Sequence, residues 1–303
     1  MKRNTIGLLI IAGILLTMAS TITYAQSKRN KSYAGKYLDK QFWIGLKAGG
    51  NLCKAKPVER FSTYSPTTSD DAASYHKQYK NFKKPGSIVG LEFTYYFKGL
   101  SVSLQPNFQT LHFSYTNAYE WIDPDSINNK LELNYTQNQK LSYAELPLLI
   151  RYEPMPTKVR PFVQAGIYYA RLNYAYKQTI IQVTDYAMGG TNQYEADNIT
   201  AEATPLFIRS YWGIVAGLGV SYPIGNIRIS AEANYRYGFN NITSNANRFS
   251  NEQLSGAGDV LDNVKLRNLS MQFSILFPLR FLSTNYLTKN IQTEKRNLVF
   301  ASF

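Results

Sequence analysis

Residues 210–240 constrain the fold most, because they read as two long alternating strands joined by a tight turn. The apolar positions of the second strand are Ile227, Ile229, Ala231, Ala233, Tyr235, Tyr237 and Phe239. Polar residues and a glycine fill the positions between them, and successive side chains of a strand point to opposite faces. One face of this hairpin is therefore apolar, and a Pro-Ile-Gly-Asn turn at 223–226 separates its strands.

The length of the two strands separates a membrane barrel from a soluble sandwich. Strands of soluble sheets usually have about 5 to 6 residues, whereas a tilted strand needs roughly 9 to 11 residues to cross a bilayer. Both strands reach that length, and aromatic residues cluster at their ends as in the interface girdles of outer-membrane barrels. The hairpin therefore predicts a transmembrane β-barrel.

The same alternation recurs along the chain at 41–52, 86–97, 100–115, 141–152, 159–174 and 264–281. With the hairpin this makes eight strands, and their connections alternate between long and short. The prediction is an all-β fold, an eight-stranded antiparallel up-and-down transmembrane β-barrel at 41–281 with four long extracellular loops. Strand extensions that raise the count to ten stay open. The apolar parity of strand three flips at Leu111, Phe113 and Tyr115, which predicts a bulge near Thr110.

The N-terminus predicts export. Lys2 and Arg3 precede an apolar run at 6–16, and Thr23-Tyr24-Ala25 is a small-x-small cleavage site, so 1–25 is interpreted as a signal peptide. A basic periplasmic leader at 26–40 and a periplasmic tail at 282–303 flank the barrel. The aromatic residue that usually ends the last strand is Phe277, Phe281 or the terminal Phe303. We expect an outer-membrane location with both termini in the periplasm.

The charge balance bears on partners. The chain carries 33 Lys and Arg against 20 Asp and Glu, but no basic and aromatic recognition motif predicts nucleic-acid binding. The expected partners are outer-membrane lipid and lipopolysaccharide, with other envelope or secretion-system proteins as further candidates, around a monomeric barrel. The first long loop has seven basic and three acidic residues, while the other three are net acidic. Either a binding surface or docking of loop one onto its neighbours explains this asymmetry.

Charged residues on the polar parity of the strands are expected in the lumen: Glu92, Glu145, Arg151, Arg228, Glu232 and Arg236. The interior of an eight-stranded barrel is just wide enough to be filled by side chains. Buried charges are costly unless they are paired. We interpret these six residues as structural pairs that pack the lumen, and a selective channel or a charge relay is the alternative.

Catalytic groups are scarce. The chain has two histidines, His76 and His112; Ser114 shares a strand face with His112, but no nucleophile elbow or third partner accompanies them. Cys53 is the single cysteine, which excludes an intramolecular disulfide and a cysteine metal cluster. We therefore expect no catalytic residues, no cofactor and no metal site.

Three stretches together carry a family resemblance: 143–152 with its Glu-Leu-Pro-Leu-Leu core, Arg-Pro-Phe-Val-Gln-Ala-Gly at 160–166, and 217–238. They resemble the PorT-like outer-membrane β-barrel family of Bacteroidetes. The resemblance implies an outer-membrane location and no known enzymatic activity, and the founding member takes part in type IX secretion and gliding. The long loops and the tail depart from the compact family pattern. The expected function is a non-enzymatic structural or interaction component; a narrow pore for small solutes and an outer-membrane hydrolase are the alternatives.

Overall fold

The computed structural model describes residues 40–61, 77–123, 125–186, 190–248 and 259–279, which contain one antiparallel β-sheet of eleven strands. The strands are β1 (Gln41–Glu59), β2 (Gln78–Lys80), β3 (Pro85–Phe97), β4 (Leu100–Leu104), β5 (Asn107–Asp123), β6 (Ser126–Tyr152), β7 (Arg160–Asp185), β8 (Asn192–Glu202), β9 (Ser210–Ile224), β10 (Ile227–Gly238) and β11 (Asn263–Pro278). No helix in these ranges is long and apolar enough to cross a membrane. The expected signal peptide, the tail and all of the leader except Lys40 lie outside the described residues.

The sheet closes on itself. β1 pairs with β3 on one side and with β11 on the other. From β11 the pairing continues through β10, β9, β7 and β6. β6 then returns to β3 through β4 and β5, and every pair is antiparallel. The described strands thus form a β-barrel.

The sequence predicts eight strands, whereas the described residues contain eleven, for two reasons. The predicted strand at 100–115 is divided at Gln105 and Pro106, because proline has no N–H to donate to a ladder. The break keeps its neighbours: Leu91 N donates to Pro106 O at 2.9 Å, and Gln105 N donates to Pro147 O at 3.0 Å. In addition, β2 and β8, of 3 and 11 residues, lie in segments that the sequence assigned to loops.

Tight turns lie at one end of the barrel. Lys98 and Gly99, between β3 and β4, have φ of 49° and 84°, and Gly225, between β9 and β10, has a φ of 57°. Glycine adopts this left-handed region without the steric cost that a Cβ brings. The tight turn predicted within 223–226 is therefore confirmed at Gly225 and Asn226, a second turn lies at Lys98 and Gly99, and the third connection at this end, between β6 and β7, is also short.

The barrel interior changes from polar to apolar along the strands. Leu111, Phe113 and Tyr115 are buried and keep the inward parity of Gln109. The register between β5 and β6 is continuous through this region, so the predicted bulge near Thr110 is wrong. The inward and outward positions of β5 do not exchange here. Instead, inward positions become apolar where the strands extend beyond the belt, the band of exposed apolar residues that includes Leu46, Val89, Phe108 and Met271.

Four strands project far beyond that belt. β6 has 27 residues and β7 has 26, and at about 3.3 Å per residue 27 residues extend roughly 90 Å, about three times the thickness of a bilayer core. Together with the upper part of β5 and with β8 they form an extension of the sheet. Much of 116–140 and 175–204, which lie between the predicted strands, is therefore strand, and 179–183 extends β7.

Candidate functional site

Four charged side chains from four strands meet in the middle of the lumen. Lys47 Nζ on β1 lies 3.0 Å from Glu92 Oε2 on β3 and 2.8 Å from Glu232 Oε1 on β10. Arg151 Nη2 on β6 lies 3.3 Å from Glu92 Oε1 and 3.1 Å from Glu232 Oε2. None of these side chains is more than 1% exposed. Two cations and two carboxylates therefore form a closed, electrically neutral square.

A second group of charges lies toward the tight turns. Arg228 Nη1 is 3.0 Å from Glu153 Oε1, and Arg160 Nη1 is 3.8 Å from Glu153 Oε2. The guanidinium of Arg228 also lies 4.8 Å from the ring centroids of both Trp43 and Tyr96, within the range of cation–π attraction. Charge pairing and aromatic packing together close this end of the lumen.

The third group lies toward the other end. Arg236 Nε donates to Glu145 Oε1 at 2.9 Å, and Gln109 Nε2 donates to the other oxygen of the same carboxylate. Arg236 Nη1 donates to Ser270 Oγ at 2.5 Å. Both oxygens of Glu145 are thus satisfied, one by Gln109 on the adjacent strand β5 and the other by Arg236, which reaches across the lumen from β10.

All six predicted lumen charges lie in these three groups and are buried. The structure adds three more to the same set, Lys47, Glu153 and Arg160, and we call these nine residues the lumen network. The alternation of inward and outward positions along the strands could have identified all three additional residues. Lys47 lies on the predicted inward face of the first strand, Arg160 shares the parity of Gln164, and Glu153 is one residue beyond the predicted end of its strand.

Neutral residues complete the packing around the network. Arg151 Nε donates to Gln164 Oε1 at 3.1 Å, and Gln164 Nε2 donates to Asn234 Oδ1 at 2.6 Å. Gly217 makes room for this amide, since a Cβ there would lie 2.0 Å from Asn234 Oδ1. The Asn234 side chain therefore fills the space that its cross-strand partner Gly217 leaves open, and solvent does not reach the charged groups.

An apolar layer covers the network on the side away from the tight turns. Its centre is three buried tyrosines, in which the Tyr211 ring meets Tyr143 and Tyr168 edge to face at 5.1 and 5.9 Å. Cys53 is buried in the same cluster as a free thiol. This layer separates the lumen network from a further group of charges above it.

That further group lies at the mouth of the barrel and is here called the mouth cluster: Lys77, Tyr79, Tyr115, Lys177, Asp259 and Asp262. Lys77 Nζ is 3.1 Å from Asp262 Oδ1 and 3.5 Å from Asp259 Oδ1. Lys177 Nζ also contacts Asp259, which accepts a hydrogen bond from Tyr115 Oη at 2.5 Å. Lys77 belongs to the basic first loop and both aspartates to the fourth, so these contacts favour loop docking over a free binding surface.

Burial shifts the titration of the mouth cluster. It lowers the pKa of Lys77 below its usual range, although the nearby Asp262 carboxylate opposes this change. It raises the pKa of Tyr79 well above its usual value, and the hydrogen bond from Tyr79 Oη to Asp262 Oδ2, at 2.8 Å, acts in the same direction. The pKa of Tyr115 is raised in the same way. The cluster therefore holds its two phenols in the neutral form.

The candidate catalytic residues are not brought together with a third partner. His112 Nδ1 lies 2.8 Å from Pro85 O, and the described residues contain no hydrogen bond between His112 and Ser114. His112 lines an open groove of about 440 Å³ on the outer face of the sheet, together with Lys84, Lys140 and Tyr176. His76 lies outside the described residues. Within the described ranges no three His, Cys, Asp or Glu side chains are grouped to hold a metal.

Comparison with known proteins gives a family and several similar structures. The sequence model of a family described as "Outer membrane protein beta-barrel domain" matches residues 24–244. Neisserial surface protein A is 13% identical, with a TM-score of 0.28, over 77% of this chain and 96% of that one. Outer membrane protein W of E. coli is 17% identical, with a TM-score of 0.30, over 79% of this chain and 98% of that one. No curated protein matches the chain.

Proposed function

We propose a function from one premise, that this chain belongs to the outer membrane protein beta-barrel domain family. The protein acts in the outer membrane as a non-enzymatic structural or interaction component. The observation that carries this proposal is the lumen network, because its charges are paired with one another and buried from solvent. A barrel filled in this way has its outer surface and its ends available for contacts.

The orientation in the membrane is part of the proposal. The ring of pairings has eight segments when β4 and β5 are counted as one, and we take these eight as the membrane-spanning strands. Outer-membrane barrels have short periplasmic turns and longer extracellular loops. The tight turns then face the periplasm with both chain termini, after removal of the signal peptide at 1–25, and the extension of β5 to β8 faces the outside.

The proposed contacts are made by the outer surface of a monomeric barrel. Outer-membrane lipid and lipopolysaccharide surround the apolar belt. The extension carries exposed Trp121, Ile122 and Tyr194, which suit contacts with another envelope protein. Secretion-system components are candidates by the resemblance to the PorT-like family, and nucleic acid is not an expected partner.

Conductance in planar bilayers tests the sealed lumen. We expect no steady openings under voltage from the purified barrel, whose folding is checked by its heat-modifiable gel mobility. A conducting porin in the same bilayers is the matched control for insertion. Steady single-channel openings would instead establish the narrow pore for small solutes. A hydrolase activity that is lost in a His112→Ala variant would overturn the non-enzymatic assignment.

Partners are tested by mild-detergent purification of the tagged protein from its native outer membrane, followed by mass spectrometry. Recovery of secretion or gliding components would favour the role of the founding PorT member. Recovery of lipid and lipopolysaccharide alone would favour a free-standing barrel that acts at the cell surface.

A further inference from the structure

Four basic residues form a block on the outer face of β1 and β11. Lys54 pairs across the strands with Arg267, and Lys56 pairs with Lys265. The residues between them, including Ala55 and Leu266, are buried inside the barrel, so all four basic side chains point outward. We call Lys54, Lys56, Lys265 and Arg267 the basic block.

The basic block is placed immediately above the lipid-facing belt. On the same face of β11, Leu269 lies two residues below Arg267. Met271 and Phe273 follow on that face, and they are 67% and 65% exposed. At about 3.4 Å per residue, the strand position of Arg267 lies only about 7 Å from that of Leu269, the first apolar position. Side chains at this height meet the headgroups of the leaflet that the belt enters.

Among the described residues, no carboxylate forms an ion pair with the block. None of the ion pairs formed among the described residues includes any of its four members. Like charges that face each other across a strand pair are destabilising, so this arrangement does not serve the barrel itself. The guanidinium of Arg267 lies 5.0 Å from the centroid of the Tyr237 ring, which fixes its position without reducing its charge.

Further basic residues continue around the barrel at the same height. Phe82 N donates to Cys53 O at 3.1 Å, which brings the segment holding Lys84 beside β1. Lys84 shares the outer groove with His112 and Lys140, and the last two are opposite each other on β5 and β6. The positive surface thus spans several strands, which suits an anion with more than one phosphate.

We propose that the basic block binds the phosphates of lipopolysaccharide, through the phosphorylated glucosamine headgroup of its lipid A in the outer leaflet. This inference rests on the proposed orientation in the outer membrane and deepens it by naming the lipid chemistry and the residues. Lysine and arginine donate charge-assisted hydrogen bonds to phosphate oxygens. Adjacent basic residues at a membrane surface add their attractions to anionic lipid.

The test compares two variants of the full chain in detergent. In the first, Lys54→Gln, Lys56→Gln, Lys265→Gln and Arg267→Gln are combined. The matched control, Lys40→Gln with Lys98→Gln and Lys158→Gln, removes positive charge at the other end, where these lysines lie 5.1 to 5.3 Å from aromatic ring centroids. Binding of lipid A, dephosphorylated lipid A and inorganic phosphate is measured by native mass spectrometry and by titration of tryptophan fluorescence.

We expect the block variant to bind lipid A at least about tenfold more weakly than wild type, and the control variant to bind as wild type does. Binding to wild type should weaken at about 1 M salt, where the Debye length is about 3 Å, and dephosphorylated lipid A should bind as weakly as lipid A binds the block variant. Equal affinity of the block variant and wild type would overturn the inference. Displacement of lipid A by equimolar inorganic phosphate would reassign the block to free phosphate and overturn it as well.

Two checks separate this inference from the proposed function. The block variant should keep the heat-modifiable mobility of the wild type, since removing like-charge pairs removes repulsion. Wild type and variant should both fractionate with the outer membrane. Correct fractionation with unchanged lipid A binding defeats only the lipid site, whereas wild-type protein outside the outer membrane defeats the proposed function and the lipid site together.

Discussion

The lumen network and the mouth cluster are both buried groups of paired charges, but different parts of the chain build them. Every member of the lumen network except Glu153 lies in a strand of the barrel. The mouth cluster takes Lys77, Asp259 and Asp262 from segments between strands. Strand register therefore fixes the first group, whereas the second depends on how two loops dock.

This difference predicts different consequences when a charge is removed. Strands of a closed barrel unfold together, so a fault in the lumen network should lower the free energy of global unfolding. Segments between strands open separately at lower free energy, so a fault in the mouth cluster should remain local.

The largest effect is expected from Arg151→Met. The variant leaves Glu92 and Glu232 buried with only Lys47 between them, and breaking a buried ion pair costs about 3–5 kcal/mol. We expect that loss in the free energy of unfolding, measured by denaturant titration in detergent micelles with tryptophan fluorescence. A loss below about 1 kcal/mol would show that the square does not hold the strands together.

A double variant, Arg151→Met with Glu92→Met, is the matched control. It removes one charge of each sign and leaves Lys47 paired with Glu232. Replacing a buried pair by apolar residues is often close to neutral, so the double variant should recover a large part of the lost stability. Failure to recover would mean that lost packing, and not the unpaired charge, explains the single variant.

The lumen network was largely predictable, because its information is local. Period-two alternation identifies inward positions without knowledge of which strands are neighbours, and it alone places Glu145 and Arg236, which are in contact at 2.9 Å, on inward faces. It could not assign partners, since these depend on register. For the mouth cluster, the loop charges indicated docking of loop one onto its neighbours as one alternative, but the pairs themselves were not predictable: Lys77 and Asp262 are 185 residues apart and lie in segments without periodicity.

The wrong bulge near Thr110 has a more specific cause. Apolar residues were assigned to the lipid-facing side along the whole strand, but that rule holds only within the membrane. Above the belt the surroundings are water, so Leu111 and Phe113 are buried inside and the outer face is polar. A change of apolar parity in a long strand can therefore mark the membrane boundary as well as a bulge.

A smaller and local effect is expected from Asp262→Asn. Asp262 Oδ1 accepts hydrogen bonds from Phe61 N at 2.9 Å and from Lys77 Nζ at 3.1 Å. The amide keeps the shape but loses the charge, and the weakened bonds should cost about 1–3 kcal/mol in local opening. Hydrogen exchange should accelerate at Phe61 and Val260 while the β9 and β10 amides stay protected. Faster exchange throughout the barrel would contradict the distinction between local and global effects.

The pH dependence of the mouth cluster should be milder still. The folded-state pKa values of Tyr79 and Tyr115 are raised, so the stability from these neutral phenols is full below about pH 10, their unfolded value, and is lost as pH rises above it. Lys77 has the opposite effect on stability at lower pH. Burial lowers its pKa, so protonation of its amino group in the folded protein costs stability. The protection factor at Phe61, which divides out the intrinsic base-catalysed exchange rate, should therefore be highest in the mildly alkaline range. Tyr79→Phe should reduce the alkaline loss, and an identical profile in that variant would exclude Tyr79 as its origin.

The smallest effect is expected from an exposed ion pair on the extension. Lys130 Nζ lies 3.2 Å from Glu120 and 2.6 Å from Glu132, distances similar to those in the lumen. These side chains are 32% to 49% exposed, so water already solvates the charges. We expect Glu120→Gln to leave both the unfolding free energy and hydrogen exchange unchanged. A destabilisation comparable to that of Arg151→Met would show that contact distance, and not burial, determines what these charge pairs contribute.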